Sequence, residues 1–195
     1  TDPDAGHRGI SCFIVDKQTP GLTLGRDQPM MGLRGTSHVE LFFDEVKLEP
    51  QALIGIEGEG LKLALYTLGK IRLAQIGARA VGKATKILQL ATDYASRRSQ
   101  FGQTIDQFQM IQQMLADSAI EINAARLALL QTAWESDQGR EVRARISMIK
   151  VQASETLGRI ADRAVQIHGE YGQQAAGLPG LRGGLQGHRS ARVRH

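Results

Sequence analysis

The sequence predicts a mainly helical α+β fold, in which a short β-segment precedes an antiparallel helical bundle. Two observations predict this fold. The first fifty residues hold short apolar runs, rich in β-branched side chains and separated by turn residues. From there to about residue 168, apolar residues recur at helical spacing in three long segments joined by short turns. A chain of 195 residues is long enough to bury a hydrophobic core around such helices.

The N-terminal block has strand character in three stretches. Residues 9–17 (GISCFIVDK) are apolar, and Pro20 with Gly21 supplies a turn before a short run at residues 22–25. Residues 37–46 (SHVELFFDEV) alternate, which puts three apolar side chains on one face: Val39, Leu41 and Phe43. A β-unit this small is expected to be part of a larger sheet with further strands.

Three helices are predicted after the connection at residues 55–60 (GIEGEG). They cover about residues 61–98, 107–136 and 143–168, and Asp137-Gln138-Gly139 ends the second. Their apolar stripes are predicted to form the core. The stripes are Leu61, Leu65, Leu68, Ile76, Ala80, Ala84, Ile87, Leu88 and Ala91 in the first helix; Ile111, Met114, Leu115, Ala119, Ile122, Ala125, Leu129 and Leu130 in the second; and Ile146, Ile149, Ala153, Leu157, Ile160, Ala164 and Ile167 in the third.

Composition predicts three parts: a β-part at residues 1–53, a helical part at 54–172 and a tail at 173–195. The last 25 residues contain six glycines and no acidic residue, and their helical periodicity is lost. We therefore expect a disordered or loop-like tail. The change of pattern near Gln173 suggests a shifted reading frame or a truncation at that position.

Composition also excludes several classes of function. Cys12 is the only cysteine, so an internal disulfide and a thiolate metal cluster are excluded. The net charge of +4 equals the four arginines of the tail, and residues 1–170 balance 20 basic against 20 acidic side chains. This balance argues against a nucleic-acid-binding face. No apolar run is long enough to span a bilayer, no signal peptide is evident, and the histidines show no metal-ligand spacing.

One stretch, residues 94–102 (YASRRSQFG), permits two interpretations. It is typical of a helix C-terminus, where cations oppose the macrodipole and Gly102 leaves the helix with positive φ. The helix-end interpretation is the more general one, but the stretch is also compatible with a site for an anion and a flat ring, in which Arg98 binds a phosphate and Phe101 contacts a heterocycle. The residues alone leave both interpretations open.

Five segments between residues 9 and 172 resemble the C-terminal half of the acyl-CoA dehydrogenase family, in family order. They are FIVDKQTPGLTLG, MGLRGTSHVELFFDEVKLEP, IGIEGEGLKLAL, YASRRSQFGQTIDQFQMIQQMLAD and KVQASETLGRIADRAVQIHGEYG. The resemblance implies a three-domain subunit in which this chain supplies the end of the middle β-domain, at residues 1–53. Residues 54–172 then form the C-terminal, FAD-binding helical bundle.

The resemblance also implies the cofactor-binding residues, which act on the FAD of a neighbouring subunit. Arg98 is expected to contact the pyrophosphate, and Phe101 and Gln109 to lie at the adenine end. The QIHGE segment is expected to hold the adenine side through Gln166, Ile167, His168, Gly169 and Glu170. Glu170 stands where the family has a second glycine, so the loop at this point departs from the family pattern.

The implied reaction is α,β-dehydrogenation of an acyl-CoA thioester, in which a glutamate takes the α-proton and flavin N5 takes the β-hydride. The family glutamate lies in a C-terminal EGT motif or on the first long helix. The sequence contains no EGT motif, and the helix position is occupied by Ile71 or Arg72, so the catalytic base is not identified. Arg72 is a candidate for substrate binding.

Alternatives from other classes remain open at this stage. The chain is also compatible with a catalytically silent partner subunit that completes a neighbour's FAD site. A third hypothesis is a related acyl-CoA oxidase or flavin monooxygenase. The resemblance implies a homodimer or homotetramer, an electron-transferring flavoprotein as a partner, and a cytoplasmic location, or the mitochondrial matrix in a eukaryote.

Overall fold

The structure, a computed structural model, describes residues 2, 4–29 and 36–169. It is mainly helical with a few short strands, which confirms the predicted fold class. Internal contacts divide the chain into two compact units, one up to Lys70 and one from Ile71 onward. The tail at 173–195, which the sequence predicts to be disordered, lies outside the described residues.

The first unit contains two short antiparallel pairs of strands. Strand β1 (Cys12–Phe13) pairs with β4 (Leu53–Ile54), and β2 (Leu22–Asp27) pairs with β3 (Val39–Phe43). Of the strand predicted at residues 9–17, only Cys12 and Phe13 therefore pair with another strand. The alternation predicted for β3 does not bury one face, because all five of its residues are exposed.

Helix α1 (Gly60–Ile71) follows β4 through the glycine-containing connection, as the sequence predicts. Close backbone approach explains the glycine at its start. The Gly60 amide donates to the Ile10 carbonyl oxygen at 2.7 Å, and a Cβ on Gly60 would lie 2.6 Å from the carbonyl carbon of Ser11. The Ser11 hydroxyl in turn accepts a hydrogen bond from the Gly58 amide at 2.9 Å. These contacts fix the start of α1 against the residues that lead into β1.

The helix predicted over residues 61–98 is wrong as a single α-helix. The structure divides it into α1, a π-helix over Arg72–Ala78, and α2 (Arg79–Ala95). A π-helix carries more residues per turn than an α-helix, so the apolar positions on its two sides do not share one α-helical register. Leu65 and Leu68 of the predicted stripe are exposed, in contrast to the stripe of α2.

The second unit is built on three long helices that pack on one another. Helices α3 (Gln109–Asp137) and α4 (Arg143–His168) agree closely with their predicted bounds, and Gly139 has a φ of 72° in the turn between them. The core contains most of the predicted stripe positions of α2 and α4. Its buried members are Ala80, Val81, Ala84, Ile87, Ala91, Ala95, Ile122, Ala125, Leu129, Ile149, Ala153, Ile160, Ala161, Ala164 and Ile167. In α3 the stripe is wrong at Ala119 and Leu130, which are exposed.

Ion pairs show that α3 and α4 run antiparallel. Near their connection, Arg145 Nε lies 2.9 Å from Glu135 Oε2. Towards the opposite end, Glu121 accepts hydrogen bonds from Arg159 Nε at 2.8 Å and from Arg163 Nη2 at 2.7 Å. We call this second group the Glu121 clamp.

The charge of Glu121 is stabilised by its two arginines. Burial by itself raises the pKa of the Glu121 carboxyl, but hydrogen bonds from Arg163 and Arg159 and their positive charges outweigh burial. The pKa is therefore lowered below its ordinary value. The clamp joins the middle of α3 to the C-terminal half of α4. The end of α4 belongs to the candidate site described below.

Candidate functional site

The stretch between α2 and α3 is a tight β-hairpin, which sequence reasoning did not predict. Strand β5 (Ser99–Gln100) pairs with β6 (Gln103–Thr104), and Phe101 and Gly102 form the two-residue turn. Their φ values are 55° and 83°, so both turn residues are in the left-handed region, as a type I′ turn requires. Gly102 is therefore a hairpin residue, and the interpretation in which it leaves the helix is wrong.

Phe101 is an unusual residue for this turn. A bulky side chain at positive φ is a conformational outlier, and asparagine, aspartate or glycine is the ordinary choice in such turns. Its side chain is not used in the core, because Phe101 is 94% exposed. The ring meets Phe108 edge-on, with centroids 6.4 Å apart and planes at 86°. The hairpin thus presents one flat aromatic face to solvent, and strain of this kind is concentrated at functional sites.

The two adjacent arginines at the end of α2 have different surroundings. Arg97 Nε donates to the carbonyl oxygen of Asp93 at 2.8 Å, so its side chain caps the helix. The Arg98 side chain is exposed, and within the described residues no carboxylate lies at salt-bridge distance from it. Its backbone is held firmly, because the Arg98 amide donates to the Tyr94 carbonyl oxygen and its own carbonyl accepts from Ile105.

Gln109 is placed close to the hairpin by the start of α3. A short 3₁₀ turn precedes the helix, in which the Thr104 hydroxyl is hydrogen-bonded to the Asp106 carboxylate. The side-chain Nε2 of Gln112 donates to the Asp106 carbonyl oxygen at 3.0 Å, which ties the first turn of α3 to that connection. Gln109 itself is exposed and directly follows Phe108, the residue that contacts the ring of Phe101.

The end of α4 separates the residues of the QIHGE segment. Gln166 is exposed, whereas Ile167 and His168 are buried. Gly169 caps the helix with a φ of 57° and a ψ of −131°, a conformation that is essentially open to glycine alone. Glu170 lies outside the described residues. The exposed groups of this segment are therefore the Gln166 side chain and the Gly169 backbone.

His168 joins this helix end to the last turn of α2, just before the hairpin. Its Nδ1 donates to the Ala164 carbonyl oxygen at 2.7 Å, and its ring lies 4.5 Å from the ring of Tyr94, with planes at 30°. Tyr94 is in the last turn of α2, four residues before Arg98. Sequence reasoning missed Tyr94. The only signal for it was its position three residues after Ala91 on the buried stripe, which does not reveal its partner.

Arg72 is exposed and begins the π-helix, at the end of α2 that is distant from the hairpin. The 17 residues of α2 alone span about 25 Å. The structure therefore brings Arg98, Phe101 and Gln109 together and joins them to the end of α4, but it places Arg72 at the other end of the bundle.

These residues suit an adenine dinucleotide. An exposed guanidinium with no carboxylate partner among the described residues suits a pyrophosphate, since guanidinium groups bind phosphate oxygens strongly. An exposed aromatic face suits a flat heterocycle, and an exposed glutamine supplies both a donor and an acceptor. The exposed groups of the hairpin and of the α4 end therefore fit the adenine and pyrophosphate half of FAD.

Comparison with known proteins then assigns the chain to a family. A sequence model of the acyl-CoA dehydrogenase C-terminal domain matches residues 58–193, which is more than half of the chain. The chain belongs to the acyl-CoA dehydrogenase family. It is 41% identical over 172 residues to an acyl-CoA dehydrogenase of Bacillus subtilis (strain 168), an overlap of 88% of this chain and 45% of that protein.

Solved structures have the same fold over nearly all of this chain. Butyryl-CoA dehydrogenase from Megasphaera elsdenii superposes with a TM-score of 0.90 at 33% identity, covering 99% of this chain and 50% of that one. A structure described as PigA with FAD and proline matches with a TM-score of 0.87 at 30% identity, covering 95% and 48%. The chain thus spans about half the length of the proteins it matches. In the part of the chain that the structure describes, no helix has the length and apolarity needed to cross a membrane.

Proposed function

We propose that this chain supplies the adenine and pyrophosphate half of an FAD site in an enzyme that dehydrogenates acyl-CoA thioesters. The observation that carries the proposal is the hairpin region, which leaves the Arg98 side chain exposed without a carboxylate partner among the described residues and the Phe101 ring 94% exposed. Family membership supports the reaction class, since the Bacillus subtilis relative is an acyl-CoA dehydrogenase and the Megasphaera elsdenii structure is a butyryl-CoA dehydrogenase.

Each residue has a role in binding. The Arg98 guanidinium pairs with pyrophosphate oxygens, and the Phe101 ring covers the adenine. Gln109, together with Gln166 and the Gly169 backbone on α4, hydrogen-bonds the adenine side. The side chains of Ile167 and His168 are buried, so these two residues contribute by holding the helix end in place.

FAD, when bound, supplies the acceptor for the hydride that leaves the β-carbon of the acyl chain. The residues where α1 passes into the π-helix, Ile71 and Arg72, do not supply the group that takes the α-proton. Ile71 has no titratable group there, and the Arg72 guanidinium is permanently charged and cannot accept a proton. Arg72 instead binds the substrate as a fixed positive charge.

A second candidate function rests on the same observation. A subunit without a base at this position can still complete the FAD site of an active neighbour through its hairpin and the end of α4. Such a silent partner subunit needs the exposed Arg98 and Phe101 but not a glutamate. Co-purification with an active homologue that loses FAD when the chain is removed would favour this candidate.

The first function requires association between copies of the chain, because the resemblance implies an FAD site shared between neighbouring subunits. Helix α3 exposes apolar side chains at a spacing of seven residues: Ile120, Leu127 and Trp134. A seven-residue apolar repeat is typical of a helix that packs against a partner helix. We infer that this stripe lies in a contact between copies of the chain, in a homodimer or homotetramer, and that an electron-transferring flavoprotein accepts electrons from the assembly.

A competition experiment tests the proposed function directly. FAD is titrated into the purified chain and its binding is followed by flavin fluorescence, with ADP and FMN as competitors. Because the residues present bind the adenine and pyrophosphate, ADP should displace FAD whereas FMN, which lacks the adenine, should not. FMN that competes as well as ADP, or a chain that binds no FAD at all, would overturn the proposal.

A further inference from the structure

We propose that the Tyr94–His168 ring pair is a positioning device that sets the α4 end against the Arg98 hairpin and so preorganises the cofactor site. The inference rests on the proposed function, because it assigns these two side chains to the FAD site without direct contact with FAD. Each ring belongs to a different helix, and the two helices carry the two segments that bind the adenine half. The pair is therefore a direct contact between the two helix ends that carry those segments.

The link on the α2 side is continuous from the ring to the arginine. The Tyr94 carbonyl oxygen accepts hydrogen bonds from the amides of Arg97 and Arg98, at 3.1 and 2.9 Å. The Arg98 carbonyl then accepts from the Ile105 amide at 2.8 Å, which closes the base of the hairpin. A shift of Tyr94 would therefore move the backbone on which the Arg98 guanidinium and the Phe101 turn are carried.

The link on the α4 side is equally constrained. His168 is only 4% exposed, and its hydrogen bond to Ala164 requires the proton on Nδ1 and fixes the ring in one orientation. Gln166 and Gly169 lie within two residues of this ring, and the Gly169 amide donates to the Gln166 carbonyl oxygen at 3.2 Å. The ring of His168 is thus unavailable to a ligand, but its position determines where the last turn of α4 ends.

Substitution of the tyrosine tests the inference. Tyr94→Phe retains the ring and should bind FAD as the wild type does. Tyr94→Leu replaces the ring with a smaller apolar side chain and should weaken FAD binding by roughly tenfold, as expected for coupled neighbours. In a double-mutant cycle, Arg98→Ala should cost less affinity in the Tyr94→Leu background, because the arginine is already misplaced there.

Stability is measured in parallel so that positioning and folding are separated. Ile160→Val, in the α4 core and away from the rings, should lower the thermal midpoint and leave the FAD dissociation constant unchanged. If Tyr94→Leu does not fold, His168→Gln removes the ring from the other side while keeping a donor for the Ala164 carbonyl.

The outcomes distinguish this inference from the proposed function. Unchanged FAD affinity in Tyr94→Leu, or in His168→Gln, beside weakened affinity in Arg98→Ala would overturn the ring-pair inference alone. Unchanged affinity in Arg98→Ala would overturn the proposed function and the inference with it. Additive losses in the double mutant would likewise show that the rings do not act through the arginine.

Discussion

Arg97 donates a hydrogen bond from Nε to the carbonyl oxygen of Asp93 at 2.8 Å, and this contact separates two arginines that the sequence places side by side. Arg97 turns back onto its own helix, whereas Arg98 keeps its guanidinium exposed, with no carboxylate of the described residues at salt-bridge distance. The helix-end interpretation of the stretch therefore describes Arg97. The anion-site interpretation is compatible with Arg98.

The first prediction compares these two arginines. Arg98→Ala should weaken FAD binding by about 10- to 150-fold, since a hydrogen bond to a charged group contributes about 1.5–3 kcal/mol. Arg97→Ala removes a helix-end contact and should leave the FAD dissociation constant nearly unchanged. Phe101→Ala should lie between them, because one stacking face is removed. Fluorescence titration of the three variants measures this order, and equal losses in the two arginine variants would contradict it.

The second prediction concerns Gly77 in the π-helix. A Cβ at this position would lie 2.8 Å from Ile149 Cγ2 and 3.0 Å from Leu129 Cδ1, so these buried side chains must shift to admit it. We expect Gly77→Ala to lower the free energy of unfolding by about 1–3 kcal/mol. Urea unfolding followed by far-UV circular dichroism measures the change.

Gly82 provides the matched control in α2. It is exposed and a Cβ there would meet nothing within 4 Å, so Gly82→Ala should raise stability by about 0.5–1 kcal/mol. Replacing glycine by alanine is thus expected to change the free energy of unfolding in opposite directions at two positions five residues apart. Destabilisation of both variants to the same degree would refute the close packing of the π-helix on α3 and α4.

The third prediction is a pH dependence from the Glu121 clamp. The folded pKa of Glu121 is lowered, so the clamp stabilises the fold above the unfolded pKa of about 4.3 and this stability is lost as the pH falls through the folded value. Glu121→Gln should lower the free energy of unfolding by about 1–3 kcal/mol at neutral pH. The difference between wild type and variant should shrink below about pH 4.

Denaturant unfolding over a pH series measures this difference. Glu155→Gln, on the exposed face of α4, is the control and should change stability little at any pH. A difference between Glu121→Gln and wild type that stays constant into the acid range would show that the arginines do not stabilise the carboxylate.

The fourth prediction concerns association through α3. Ile120, Leu127 and Trp134 are 67%, 59% and 54% exposed, so a charge in the middle of the stripe should disrupt a contact between copies. Light scattering at micromolar concentration should show at least a dimer for the wild type and a smaller species for Leu127→Glu. Gln89→Glu adds the same charge at an exposed polar position of α2 and should leave the assembly intact. A wild-type monomer would contradict the prediction.

Sequence reasoning succeeded where periodicity alone decides the structure. The bounds of α4 agree with the prediction, because its stripe from Ile146 to Ile167 keeps one helical period. It failed at residues 72–78, where one continuous α-helix was predicted and the structure has a π-helix. The wider turn of a π-helix shifts the apolar spacing by about one residue, and a sequence pattern does not distinguish that shift from an uncertain register. It also missed the hairpin, because a phenylalanine at positive φ is contrary to the turn preferences from which hairpins are predicted.

The candidate site was predicted only in part, because part of it depends on how the helices pack. Arg98 and Phe101 were identified from residue type, and the resemblance supplied the QIHGE segment. The ring contact between Tyr94 and His168 joins residues 74 positions apart by number and depends on how α2 and α4 pack, which no local pattern reports. Whether Arg98, Phe101, Gln109 and Gln166 bind FAD stays a prediction.

The fifth prediction is that this chain alone does not oxidise acyl-CoA. General-base catalysis needs a group within about 3 Å of the proton it takes. Ile71 and Arg72 cannot serve as that group, and the resemblance to the family implies that Glu170 belongs to the adenine end of the cofactor, away from the reacting carbon. We therefore expect no loss of flavin absorbance when the chain, FAD and acyl-CoAs of several lengths are mixed anaerobically.

The Bacillus subtilis acyl-CoA dehydrogenase is the positive control for this assay, since its flavin should bleach under the same conditions. FAD binding to the chain is measured first, so that absence of bleaching is not confused with absence of cofactor. Substrate-dependent bleaching of the wild-type chain would contradict the prediction. If that bleaching persisted in Glu170→Gln, a group of this chain other than Glu170 would have to take the α-proton.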